Sequence, residues 1–287
     1  MKIARCRNLT APGVSASLPF WAVVDLSTDS VTPIVGAIAD WAPALTRGEG
    51  EASLTFAGPA QPLASVQLLA PVEKTNRVVV AGANYAKHLA ADFGLKSHHQ
   101  PIAFLKAYGA LIGANDTMRY PPLTTEFDHE VELVAVIGAL KVDRADPLSS
   151  VLGYAVGNDV SARDLQRSGP PGVGMDLFAS KSQDRTTGIG PWIVTRDEFP
   201  EGSPKRQLTL KVNGEVRQNA STAEMTWDVE FLVRFVDERS SFECGDVMFT
   251  GSPAGTGQGT GKYLRVGDVV EASVEGIGTL RNVVVAG

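Results

Sequence analysis

Hydrophobic and polar positions along this chain follow two periods, one of two residues and one near three and a half, which divide it into many short strands and a few helices. Residues 127–138 carry Val131, Leu133, Ala135 and Ile137 on one parity and Glu130, Glu132, Val134 and Val136 on the other. Alternate side chains of a strand point to opposite faces, so this pattern predicts an interior β-strand, apolar on both sides, with two carboxylates on one face. Residues 77–82 read as a second buried strand, and 83–94 as a short helix stopped by Gly94. Residues 153–158 form a further strand; Ser161 and Asp164 have capping-box spacing, which predicts a helix start there and an end at the 168–172 Gly/Pro run. Met225, Val229, Leu232 and Val236 recur at helical spacing within 224–239, with Ser221 and Glu224 as a second capping box. Strands joined by glycine turns occupy the remainder, around 192–194, 247–251, 269–274 and 280–285.

Residues 1–56 hold strand-like runs, such as 21–26, without visible chemistry, and 57–74 turn to Pro, Ala and Gln with Pro59, Pro62 and Pro71. That shift reads as a linker or extended crossing. The expected organisation is a small N-terminal β-rich domain plus linker over 1–72 and a second domain over 73–287. The fold class is mixed α+β, mainly β. The 287 residues suffice for a full core.

Charge and cysteine usage narrow the function classes. The balance of 26 Lys+Arg against 32 Asp+Glu, a formal charge of −6, favours neither nucleic acid nor an anionic membrane as partner. Cys6 and Cys244 form no Cys-x-x-Cys pair, which fits a reducing cytoplasm. Residues 1–8 lack the apolar core of a signal peptide, and no segment approaches the ~20 apolar residues of a membrane helix.

The chemistry concentrates near the 127–138 strand. Two ionised carboxylates held together and buried repel one another and need a cation, so Glu130 and Glu132 read either as metal ligands or as a solvated strand end paired to Lys or Arg. Asp159 falls on the strand face of Ala155 and Gly157, whose small side chains leave room for a bound group. Asp164 is assigned to capping. Arg163 and Gln166 share a helical face that lines either a cavity or solvent. His88 stands on a helix after a strand-to-helix turn, a position suited to presenting a base and equally open to a plain structural role. His98 and His99 are read as loop histidines rather than ligands, and Lys181 alone is unremarkable. The run Gly255-Thr256-Gly257-Gln258-Gly259-Thr260-Gly261-Lys262 departs from a phosphate loop, with Thr256 and Tyr263 where Gly and Ser/Thr belong. It reads as a flexible loop near a site, with Thr250, Ser252 and Thr256 as hydroxyl donors.

Taken in order, Gly82-x-Asn84-Tyr85-x-x-His88, Glu130-x-Glu132, Asn158-Asp159-x-Ser161-x-Arg163-Asp164-x-Gln166, Lys181 and Gly251-Ser252-Pro253-Ala254-Gly255 resemble the fumarylacetoacetate hydrolase family over roughly residues 76–287. The likeness is to its acylpyruvate hydrolase and 2-oxo-hept-ene-dioate isomerase-like branch. The resemblance implies a catalytic fold with a β-roll and a homodimer. It implies Mg²⁺ or Mn²⁺ on Glu130, Glu132 and Asp159, and catalysis by His88, Asp92 and Lys181. Tyr85, Arg163, Gln166, Ser252 and Thr256 would face a small 2-oxo acid substrate. Many hydrolytic members carry a glutamate three residues after the histidine; Ala91 stands there, with Asp92 one turn from His88 as its replacement. Ser252 replaces the usual Thr. The implied activity is metal-dependent C–C hydrolysis of a 2,4-dioxo acid, acylpyruvate-like, to pyruvate or a substituted pyruvate plus a carboxylic acid. Decarboxylation or isomerisation of a related 2-oxo dicarboxylic acid is the alternative, and a catalytically silent oxo-acid-binding dimer is another of a different class.

Overall fold

The computed structural model describes residues 1–9, 17–94, 96, 99–172 and 174–287. At its centre lies the strand Val131–Ile137, buried throughout, flanked antiparallel by Val151–Asn158 on one side and Val247–Phe249 on the other. Val78–Gly82 runs parallel to Val247–Phe249, and Ile102–Lys106 closes that edge. In the other direction the sheet continues through Thr187–Thr195 to Lys2–Asn8, Phe20–Asp25 and Ser30–Ile34. Main-chain hydrogen bonds therefore join the N-terminal strands to the sheet that carries the site. A five-stranded sheet, Glu215–Ser221, Gln207–Val212, Val269–Val274, Gly278–Ala286 and Met118–Tyr120, packs across it.

The two parities of the central strand feed two cores. Val131, Leu133, Ala135 and Ile137 pack with Leu208, Leu210 and Leu280 of the five-stranded sheet and with Leu232 and Val236 of the helix Val229–Asp237. Val134 and Val136 pack with Val80, Phe249 and the side chains Ile38 and Trp41 of the helix Ile38–Thr46. This is the interior strand that the alternation predicts, and the whole is mixed α+β, mainly β. Gly94, at φ 65°, ends the helix Ala86–Phe93 as expected, its N–H directed at the Ala90 and Leu89 carbonyls. No helix among the described residues is long and apolar enough to cross a membrane.

Four local readings are corrected. The 127–138 strand is broken: Phe127–Asp128 pairs with Ser161–Ala162, and the chain kinks at His129 and Glu130, where the Glu130 N–H donates to Asn158 Oδ1 (2.9 Å). Ser161 does not cap. Its hydroxyl donates to Glu130 Oε2 (3.1 Å) instead, the helix Arg163–Gln166 starts without a side-chain cap, and Asp164 accepts from the Thr125 N–H (2.8 Å). Gly157 leaves no room for a ligand, because a Cβ there would stand 2.4 Å from the Phe249 ring and 2.7 Å from a Val134 methyl. The helix predicted over 224–239 begins at Val229, capped by Asp228, while the Ser221/Glu224 box sits on a separate turn, Thr222–Glu224.

Candidate functional site

Glu130 and Glu132 leave the kink on the start of the central strand, and Asp159 follows the end of its neighbour, Val151–Asn158. The Asp159 N–H donates to the Glu130 carbonyl (2.8 Å), which fixes the two chain segments against each other. Carboxylate oxygens of Glu130, Glu132 and Asp159 all lie within 4.8 Å of one another, and all three residues are buried. Glu132 Oε2 accepts from the Gly251 N–H (2.7 Å). Only glycine brings that N–H so close: Gly251 has φ 97°, and a Cβ would stand 2.7 Å from Asn84 Cβ.

The electrostatics of the three carboxylates differ. Burial raises Glu130, but Arg163, Lys181 and His88 outweigh it and hold its carboxyl below the usual range. Burial, then Asp159 and Glu130, push Glu132 well above that range. A set of three hard oxygen donors with one member left under like-charge repulsion fits a divalent cation of the Mg²⁺ or Mn²⁺ kind, which would relieve that repulsion.

Basic side chains surround the cluster. Lys181, last residue of the helix Leu177–Lys181, reaches Asp159 Oδ2 (2.5 Å) and Glu130 Oε2; burial lowers its ammonium, yet Asp159 and Glu130 together raise it. Lys106, from the edge strand, is wholly buried and lies 2.8 Å from Asp159 Oδ1 and 2.8 Å from Thr187 Oγ1. Arg163 donates through Nη2 to Glu130 Oε1 (2.6 Å), through Nε to Asp128 Oδ2 (2.7 Å) and through Nη1 to Gln166 Oε1 (3.1 Å). Removing one member of such a buried ion network costs about 3–5 kcal/mol, because the partner charge is left uncompensated.

His88 and Asp92 share a face of the helix Ala86–Phe93. His88 Nδ1 lies 2.7 Å from Asp92 Oδ2, and Thr256 Oγ1 donates to that same oxygen (2.6 Å). A carboxylate only accepts, so Asp92 holds the proton on Nδ1 and leaves Nε2 as the basic nitrogen. Nε2 is 3.7 Å from Glu130 Oε1, which places that nitrogen beside the carboxylate cluster. The glycine run lies directly over this pair: a Cβ on Gly259 would stand 2.1 Å from Asp92 Oδ1.

One cavity is lined by His88, Glu130, Glu132, Asp159, Arg163, Gln166, Lys181 and Ser252, together with apolar side chains. Tyr85 and Thr256, expected against substrate, are not on its wall. Tyr85 is packed into the core, and the Thr256 hydroxyl is spent on Asp92. His99 is exposed, and His98 lies outside the described residues. Sequence reasoning missed Lys106, which its apolar strand disguised, and Asp128. Asp128 is fully buried and accepts from Arg163 and from the Gly257 and Gln258 N–H groups, tying the arginine to the glycine loop. Its one signal was its place two residues before Glu130.

Comparison with known proteins adds names to this geometry. Residues 77–285 match the family model described as fumarylacetoacetate (FAA) hydrolase C-terminal. A maleylpyruvate hydrolase of Aquipseudomonas alcaligenes is 38% identical over 76% of this chain and 75% of its own. The crystal structure of a 5-carboxymethyl-2-hydroxymuconate delta-isomerase from Mycobacterium smegmatis superposes with a TM-score of 0.78 at 32% identity, over 100% of both chains. A fumarylpyruvate hydrolase from Pseudomonas aeruginosa, solved with Mn²⁺ and pyruvate, gives a TM-score of 0.66 at 30% identity over 77% of this chain and 92% of its own. With the ordered motifs, the buried carboxylate triad and a family match spanning most of its length, this chain belongs to the fumarylacetoacetate hydrolase family.

Proposed function

We propose that the protein is a Mg²⁺- or Mn²⁺-dependent hydrolase that cleaves the C3–C4 bond of a 2,4-dioxo acid of the acylpyruvate kind. The observation that carries this reading is the His88–Asp92 pair, with Nε2 3.7 Å from Glu130. Hydrolysis needs a base for water, and this geometry supplies one beside the carboxylates. The Mn²⁺ and pyruvate complex of the similar fumarylpyruvate hydrolase supports the metal and the product class.

Glu130, Glu132 and Asp159 would hold the cation, which when bound supplies the Lewis acidity that polarises the keto and carboxylate oxygens of a 2-oxo acid. His88 Nε2 takes a proton from water as the water oxygen bonds to C4 and the C4=O π pair moves onto the carbonyl oxygen, which then re-forms the carbonyl as the C3–C4 bond breaks. The C3–C4 electron pair then passes into the enolate of the pyruvate half. Lys181 and Arg163 face that negative charge, and protonation at C3 completes pyruvate or its substituted form beside the released carboxylic acid. The reading includes Gln166 and Ser252 as substrate contacts, residues 73–287 as the catalytic domain with 1–72 as an accessory, and a cytoplasmic homodimer. Light scattering that finds a monomer at micromolar concentration counts against the dimer.

Turnover in ¹⁸O-labelled water tests the chemistry. Hydrolysis puts one solvent oxygen into the released carboxylic acid. Turnover of oxaloacetate or an unsaturated 2-oxo diacid, with none of an acylpyruvate, assigns the site to decarboxylation or isomerisation instead.

A further inference from the structure

We infer that the acyl substituent of the substrate is apolar, an alkyl or aryl group without a second carboxylate. This rests on the hydrolase reading and names its substrate class. The cations that line the cavity among the described residues are Lys181 and Arg163, with His88 beside them. Each is already engaged: Lys181 with Glu130 and Asp159, Arg163 with Glu130 and Asp128, His88 with Asp92. Lys181 and Arg163 serve the end of the substrate that holds the 2-oxo acid, and His88 the C4 carbonyl between that end and the substituent.

The remaining wall is built mainly from Val80, Leu89, Ile102, Phe104, Met175 and Leu177. Two of these, Ile102 and Met175, remain 40% and 50% exposed, although the other side of the same cavity is densely charged. Apolar side chains left open beside a charged centre gain from covering by an apolar group. A carboxylate set against them would lose its hydration with no cation among the described lining residues to replace it. Relatives of this chain include one named for maleylpyruvate, a diacid, so the distinction separates this chain's substrate from that one.

The test varies the length of the acyl chain and, at equal length, its terminal charge. The Mg²⁺-loaded enzyme is assayed on acetyl-, butanoyl- and hexanoylpyruvate and on succinylpyruvate, which differs from butanoylpyruvate in its terminal carboxylate. The expected kcat/KM rises about fourfold per added methylene, as for a methylene leaving water. Butanoylpyruvate should exceed succinylpyruvate at least tenfold. Met175→Arg and Ile102→Arg, at positions open enough for the fold to tolerate, should each narrow or invert that ratio. A ratio near one in the wild type, or one unmoved in both variants, overturns the inference. If no acylpyruvate turns over, the hydrolase reading fails by itself, and calorimetric binding of 2-oxoheptanoate against 2-oxoheptanedioate decides the apolar assignment. Tighter binding of the monoacid supports it; equal or weaker binding, or no binding of either, overturns it.

Discussion

Glu132 rides on a strand paired antiparallel with Val151–Asn158, with Glu130 at the kink just before it, whereas His88 and Asp92 stand on a helix of eight residues that a glycine loop covers. The first region takes its geometry from a hydrogen-bond ladder. A shift of one residue along the strand would throw every side chain to the other face and exchange the two cores. The second takes its geometry from side-chain hydrogen bonds, Thr256 to Asp92 and Asp92 to His88. Moving a carboxylate from position 91 to 92 on a helix turns it by about 100° without disturbing the fold, and here the loop meets it in the new place. Under the proposed reading the site tolerates change in the helical region, where Asp92 stands in for a carboxylate at position 91, while the three carboxylates Glu130, Glu132 and Asp159 stay together.

The strand region should therefore break hardest. Glu132→Ala removes a proposed metal ligand and the acceptor of the Gly251 N–H together, so calorimetry should find divalent-metal binding lost and turnover down by about a thousandfold or more, equivalent to some 4 kcal/mol. Chelation of the wild type should abolish turnover, and Mg²⁺ or Mn²⁺ should restore it. Full activity in a chelated preparation would remove the metal from the account. His88→Ala comes next. It should cost about 10²- to 10⁴-fold in kcat, the range for a general base, while metal affinity stays near that of the wild type. A parallel loss of metal would show that the two regions are one structural unit and not two.

How much of this was legible beforehand follows the same division. The alternation of Val131 to Ile137 with Glu132 needed only the strand period, and both cores followed from it. The contents of the glycine run did not, because what it recognises is a pair of carboxylates, Asp92 and Asp128, far away in sequence. Ser161 and Asp164 matched a capping box by spacing, yet Glu130 captured the hydroxyl, a tertiary competitor that no local pattern records. Lys106 was hidden for the opposite reason: its strand looks like plain core, and only the fold sets its ammonium against Asp159. The placement of Tyr85 differs because strand-to-helix turns point some side chains into the core and others into the cavity, which the order of residues leaves open.

The proposed replacement of the glutamate absent at Ala91 by Asp92 sets up the next test. Asp92→Asn keeps the size of the side chain and an oxygen for Thr256, but removes the charge that fixes the imidazole tautomer. It should lower kcat about ten- to a hundredfold with little change in metal affinity. In Ala91→Glu a second acceptor stands one residue earlier on the same helix, and hydrolysis should be preserved or raised. An Asp92→Asn enzyme as fast as wild type would show that His88 does not depend on this carboxylate.

The smallest effect belongs to Thr256, which touches no reacting atom in this arrangement and acts through Asp92. Thr256→Val keeps the shape of a fully buried side chain and deletes one hydrogen bond, 2.6 Å long, to a carboxylate oxygen already shared with His88. A hydrogen bond to a charged group contributes about 1.5–3 kcal/mol, part of which appears as lost stability and only the remainder as misdirection of Asp92. The expected result is a kcat down by about three- to tenfold, KM nearly unchanged, and a lower Tm. Thr256→Ser, which restores the hydroxyl, should recover most of the rate. If Thr256→Val loses stability but no rate, the loop is a cover for the helix and Asp92 is aligned by His88 alone; if Thr256→Ser fails to rescue, the methyl packing, and not the hydrogen bond, is what the loop contributes.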